Sequence, residues 1–279
     1  KTRSPFLTQV AQTLSNNKKV SRELLAARGL PVPPDLLLDE ADVPRGPAAR
    51  AFLAEHGAVV AKPNWGDRGV GVTPAIRDLD GLARAYARAR ALDLDEEVVV
   101  EPHLEGTNLR LTVIGGRCLA AAEIVRPVLR GDGESSAAAV IEALNEDPRR
   151  CSWDDPRLVV LDRIEAEEDV EGHLAALGLE LDAPLPAGVE VEITGEEREV
   201  IDRTDEVDRG WFAVAEAACR YLGVDVGGVD LRGPLAAFRA PPAGGVAWRR
   251  GAIVEVNVLP GLHYHELPTA GRARPVVEA

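Results

Sequence analysis

Hydrophobic residues along this chain recur with two different periods. Val20, Leu24 and Leu25 in "SNNKKVSRELLAARGLPVPP" fall on one helical face, predicting a helix with a polar cap near Ser15 to Asn17 and a stop at Gly29. The same spacing predicts helices over "DLDGLARAYARARALD", within "GDGESSAAAVIEALNEDPRR", and over "DRGWFAVAEAACRYLG", which Gly223 closes. Alternating or unbroken apolar runs predict strands in "AVVAKP", "EEVVVEPHL", "VDVGGVDLRG" and "AIVEVNV", the last two as a candidate pair. "LRLTVIGGRCLAAAEIV" predicts a hairpin turning at Gly115-Gly116. The stretch up to about Arg45 reads as a loop rich in Pro and Asp, and residues 128–208 as a less orderly, acidic region. Helices alternating with strands and hairpins predict α+β lobes rather than one parallel sheet.

Polar residues interrupt these apolar strands at a few places. In "AIVEVNVLPGLHYHE", strict alternation puts Val254, Val256 and Val258 on one face and Ile253, Glu255 and Asn257 on the other. Glu255 and Asn257 are then either a solvated face or two hard oxygen ligands for a divalent cation. Asp230 in "GGVDLRG" is a carboxylate inside a second apolar strand, where an acid is seldom left without a partner. Together the three form a donor set suited to magnesium, which takes few protein ligands and completes its shell with water and phosphate. The loop "KPNWGDRGVGV" places Lys62 at a strand end before Gly66, Gly69 and Gly71. Glycines let backbone amides approach phosphate oxygens, and the spacing fits neither the Walker nor the dinucleotide pattern; a ligand-free hairpin tip is the other reading. Glu101 leaves a buried strand before a proline, either a hinge for a flat heterocycle or an ordinary strand end.

Composition narrows the classes. A formal net charge of −14 over 279 residues speaks against a general nucleic-acid binder, yet leaves room for a local basic pocket. Cys118, Cys151 and Cys219 are widely spaced and odd in number, predicting reduced, structural thiols of a cytoplasmic protein. No apolar run approaches the roughly 20 residues of a membrane span, and no signal peptide is legible. The absence of methionine leaves a processed chain, a fragment and an incomplete sequence as open readings. His263 and His265 have no third ligand at zinc spacing, and His56, His103 and His173 read as surface or packing residues. No Ser-His-Asp or Cys-His arrangement stands out from spacing.

The order of these motifs resembles the ATP-grasp superfamily, and within it the ATP-grasp region of cyanophycin synthetase, over almost the whole chain. The resemblance implies three segments: an N-terminal helical part (1–48), a glycine-loop lobe (49–105) and a catalytic lobe (106–279) with an insertion at about 128–208. A nucleotide would lie between two α+β lobes. Lys18, Lys62 and the loop from Gly66 through Gly69 to Gly71 match phosphate-contacting positions, and Glu101 through Leu104 match the adenine-contacting segment. Asp230, Glu255 and Asn257 match magnesium ligands, Arg110 an arginine near the transferred phosphoryl group, and His265 and Arg274 positions at the acceptor end. The implied activity is ATP-dependent carboxylate–amine ligation through an acyl phosphate, with ATP and two Mg²⁺ ions as cofactors and an amino acid or peptide as substrate. Capture of an anionic substrate would fall to a basic patch of Arg110, Arg272 and Arg274. Neither nucleic acid nor a membrane is an expected partner, and a homo-oligomer is left open. Two departures qualify the match: Asn108 stands where relatives carry an acid for the ribose hydroxyls, and the segment "EVEITGEEREVIDRTDEV", with only Arg198 and Arg203, is short and acidic where relatives carry a longer loop rich in Arg, Asn and Gly. The alternative is therefore a nucleotide-binding module with impaired catalysis and a regulatory or assembly role. The domains that flank the ATP-grasp region of cyanophycin synthetase have no counterpart in this sequence, so polymer synthesis is not implied.

Overall fold

In the computed structural model of the chain, a helix that the sequence did not mark comes first, and the predicted cap of the next one falls on Asn17. Its extended backbone ends α1 (Gln9–Asn16), and its side chain accepts from the Val20 amide at 2.9 Å to cap α2 (Lys18–Ala26). The buried stripe of α2 is Lys18, Ser21, Arg22 and Leu25, so three polar residues ride on the inward face. The structure describes residues 4–38, 44–66, 71–92, 97–151, 161–164, 170–171, 174, 177–192, 199–242 and 247–278. They form two units, residues 1–121 with 203–261 and residues 122–202 with 262–278.

The first unit holds two sheets. One is antiparallel in the order β1-β4-β2-β3, built from β1 (Leu36–Leu38), β2 (Val59–Pro63), β3 (Thr73–Ile76) and β4 (Val98–Pro102). Helices α3 (Pro47–His56) and α4 (Leu79–Arg90) contribute Leu53, Leu82 and Tyr86 to a core with Val59, Ala61, Val98 and Val100. Alternation then leaves Val60, Lys62, Val99 and Glu101 on the opposite face, where all four are still buried. Neither β1 nor α3 is evident from the sequence, because prolines crowd the first and the second has only a sparse apolar stripe.

The second sheet runs β6-β5-β12-β13, with β5 (Thr107–Ile114), β6 (Arg117–Val125, its first five residues in this unit), β12 (Val226–Gly233) and β13 (Ala252–Asn257). Helix α6 (Arg209–Leu222) covers it, capped by the Asp208 side chain and closed by Gly223 at φ +73°. Trp211, Phe212, Ala215, Cys219 and Leu222 pack against Leu109, Leu111, Val229 and Leu231. Each fully buried leucine contributes about 2 kcal/mol relative to exposure. The predicted pairing of the last two strands is present, with one correction. The register shifts between Asp230 and Leu231, which face Glu255 and Ile253, so Val254 is an extra residue. Such a bulge reverses alternation beyond it. Ile253 therefore joins Val256 and Val258 in the core instead of sharing a face with Glu255, and Val254 is half-buried.

The second unit carries β7 (Val128–Arg130) paired with β10 (Glu190–Glu192), α5 (Ala137–Asn145) capped by Ser136, and a short parallel pair, β8 (Arg150–Cys151) and β9 (Leu161–Asp162). Strand β11 (Glu199–Asp202) pairs with the end of β6, and Leu129, Ile141, Ile164 and Val191 form a separate core. Among the described residues no helix is long and apolar enough to cross a membrane. The fold is α+β, as expected.

Cys118 and Cys219 are buried free thiols. Burial, with Glu216 beside the first and Asp225 beside the second, pushes Cys118 well above the usual thiol range and Cys219 up to about 12. Iodoacetamide at pH 8 is expected to leave both unmodified in the native protein and to label both in urea, read by peptide mass mapping; labelling of either in the native state would contradict this packing.

Candidate active site

Three strands of the second sheet lay the candidate residues out as rungs. Arg110 on β5 is the register partner of Asp230 on β12, which is the partner of Glu255 on β13. The next rung is Thr112, Gly228 and Asn257. Directly opposed residues share a face, and so do residues two apart. All of these therefore address one side of the sheet. Contacts agree: Asn257 Nδ2 donates to Asp230 Oδ2 at 2.9 Å. Arg110 grips the same carboxylate with both prongs, Nε to Oδ1 and Nη2 to Oδ2, each at 2.7 Å. Gly228 is what gives that arginine room, since a Cβ there would lie 3.2 Å from Arg110 Cδ and 3.0 Å from Pro260 Cβ. The preceding glycine serves packing, because a Cβ at Gly227 would lie 2.7 Å from Cys219 Sγ.

Lysines and a third acid, Glu101, converge from α2 and the first sheet. Lys18 Nζ donates to the Gly66 carbonyl at 2.7 Å and lies 3.6 Å from Glu255 Oε1. Lys62 and Glu101 are diagonal neighbours on β2 and β4, joined Nζ to Oε1 at 3.0 Å. Arg22 makes a second ion pair to Glu101 and lies near Asp35. Burial pushes the Lys62 ammonium below the ordinary lysine value, with Glu101 and Glu255 opposing and Arg22 and Lys18 adding to the shift. Burial alone would raise Glu101, but the charges of Arg22 and Lys62 outweigh it and hold its carboxyl below the ordinary range. Asn64 fixes α2 against β2: its carbonyl and side-chain oxygen accept the Lys18 and Lys19 amides, and its own amide group donates to Glu97.

The remaining predicted positions divide. Gly66 and Gly71 have φ of +122° and +75°, conformations that favour glycine; Gly69 lies outside the described residues. The Leu104 carbonyl accepts from Arg232 Nε at 3.0 Å, and Asn108 is the register partner of Arg232. His265 and Arg274 belong to the second unit, as does Arg272, whereas Arg110 belongs to the first. Arg274 pairs with Asp202 through Nε and Nη2, and its amide donates to the carbonyl of buried His265. Of the acidic loop, 193–198 lie outside the described residues, Arg198 among them, and Arg203 pairs with Glu206. The sequence reading missed Arg22, Asn64 and Asp35. Arg22 had a signal, four residues after Lys18 on the stripe that ends at Leu25.

Among the described residues, no group of three or more His, Cys, Asp or Glu could hold a metal ion. A magnesium site here rests on two carboxylates and an amide. Their shared face fits a hard, oxygen-seeking cation. The lysines and glycine turns beside them fit a polyphosphate.

No family model matches the chain. It is 31% identical over 280 residues to a cyanophycin synthetase of Crocosphaera subtropica, covering 96% of this chain and 30% of that protein. A crystal structure of a bifunctional glutathione synthetase from Pasteurella multocida superposes with TM-score 0.62 at 26% identity, over 98% of this chain and 37% of that one. The ATP-grasp ligase PsnB, solved with a precursor variant, Mg and ADP, superposes with TM-score 0.52 at 17% identity, over 98% and 60% of the two chains. The chain thus spans about a third of the length of the curated relatives it matches. The chain has the ATP-grasp fold, and these likenesses run along nearly its whole length.

Proposed function

We propose that the chain is an ADP-forming carboxylate–amine ligase acting on an amino acid or peptide. The observation that carries this reading is the convergence, on one unit, of Asp230, Glu255 and Asn257 with Lys18 and Lys62. It is supported by relatives whose names are those of synthetases and ligases. In this reading Asp230, Glu255 and Asn257 hold magnesium, two ions being the proposed count, and Arg110 acts at the transferred phosphoryl group. Magnesium bound there supplies charge neutralisation to polyphosphate oxygens. Lys18 and Lys62 add positive charge beside it, placed there by their contacts with Gly66 and Glu101. Gly66, Gly69 and Gly71 cover the phosphates, and Glu101 through Leu104, with Asn108, take the nucleoside. The substrate carboxylate then accepts the γ-phosphoryl group, and an amine displaces phosphate from the acyl phosphate to form the amide. His265 and Arg274 serve the acceptor end in this scheme.

The test is ADP and phosphate release in a screen of amino acids and short peptides. The expected result is release that requires both a carboxylate and an amine. Calorimetric Mg·ATP binding without any ADP formation would replace this reading with a binding module lacking turnover. No Mg·ATP binding at all would end both.

A further inference from the structure

Each acid of the candidate site already faces a cation. Arg110 holds both oxygens of Asp230, Lys18 lies beside Glu255, and Lys62 and Arg22 flank Glu101. Arg110 and Asp230 are both largely buried, with side chains 12% and 9% exposed, so their charges interact with little screening by water. A free divalent cation approaching Asp230 would meet a carboxylate whose charge is cancelled by a guanidinium in bidentate contact. A free polyphosphate approaching Lys18 or Lys62 would meet ammonium groups already engaged by Gly66, Glu255 and Glu101.

We infer that the site accepts divalent metal and nucleoside triphosphate together rather than separately, and that Arg110 enforces this by occupying Asp230 until the pair arrives. The inference rests on the proposed metal-ligand role of Asp230 and adds a specificity-determining role for Arg110. The physical reason is an exchange of partners. A metal–triphosphate complex brings a cation for Asp230 and Glu255 and oxygens for Arg110, Lys18 and Lys62 in one event, so no buried charge is left alone. Either component alone breaks an ion pair and strands a charge. Gly228, on the neighbouring rung, leaves the space in which the arginine lies against the acid.

The experiment measures binding of Mn²⁺ to the full chain by loss of the free-ion EPR signal, with and without a non-hydrolysable ATP analogue. Wild type is expected to bind Mn²⁺ weakly alone and much more tightly with the analogue. Arg110→Gln is expected to tighten binding of Mn²⁺ alone by at least about tenfold, within the range of site-to-site couplings. Arg110→Lys, which keeps a charge but loses the two-pronged grip, should fall between the two. Arg110→Gln with Asp230→Asn should lose the gain. Circular dichroism establishes that each variant is folded; should Arg110→Gln not fold, Arg110→Lys against wild type decides. Unchanged or weaker Mn²⁺ binding in the folded arginine variant overturns the inference. So does tight binding of Mn²⁺ alone to wild type through Asp230, which would leave the metal-ligand reading standing. A gain that survives Asp230→Asn overturns the ligand reading itself.

Discussion

Glu255→Gln is expected to lower the rate of ADP formation by about two orders of magnitude or more, the cost of removing one preorganised charge from a charged transition state. The substitution keeps side-chain volume and changes only the charge and one donor. Glu255 is partly exposed on β13, opposite Asp230 and 3.6 Å from Lys18 Nζ, so its neutral isostere should leave the fold intact. Its thermal midpoint should move little while kcat falls. Steady-state kinetics and a melting curve on the same preparation check both halves. A rate near wild type would remove Glu255 from the metal site, whatever the affinity for nucleotide.

Glu101→Ala is expected to act on stability instead, lowering it by about 3–5 kcal/mol, because it takes the paired carboxylate from buried Lys62 and leaves Arg22 only Asp35. Lys62 and Arg22 are 6% and 3% exposed, and each pairs with this carboxylate. Urea unfolding measures the loss. Replacing Arg22 with Leu, Lys62 with Met and Glu101 with Leu together should recover a good part of it, since an apolar trio leaves no charge unpaired. A single variant as stable as wild type would mean that water reaches this cluster. The same pair sets a pH dependence whose sign follows from the shift. The folded carboxyl sits below its ordinary value of 4.5, so its stabilising contribution is complete above that value and is lost as pH falls through the lower folded value. Acid unfolding of the wild type should therefore include a component that Glu101→Gln abolishes.

Much of the architecture was legible because it depends on local periodicity. The amphipathic stripes of α4 and α6, the Gly115-Gly116 hairpin and the two late strands are patterns of side chains with a fixed spacing. What escaped had weak local signals. Helix α1 buries only Ala11 and Ser15, so no apolar stripe marks it. The alternation of "AIVEVNV" is regular in sequence, but the extra residue opposite Asp230 and Leu231 is visible only in the pairing of β12 with β13. Nothing in the order of residues marks where a strand will bulge.

The candidate site shows the same division. Sequence alone showed which donors share a strand face, because side chains two apart on a strand point the same way: Glu255 with Asn257. It also fixed the types of group available, two carboxylates, an amide and lysines beside glycines. Tertiary structure decided who meets whom. Register between strands far apart in the chain put Arg110, Asp230 and Glu255 on one rung, and packing of α2 brought Lys18 and Arg22 to Glu255 and Glu101. Those partnerships decide which charge stands beside which, and they arise from long-range pairing that no local pattern encodes.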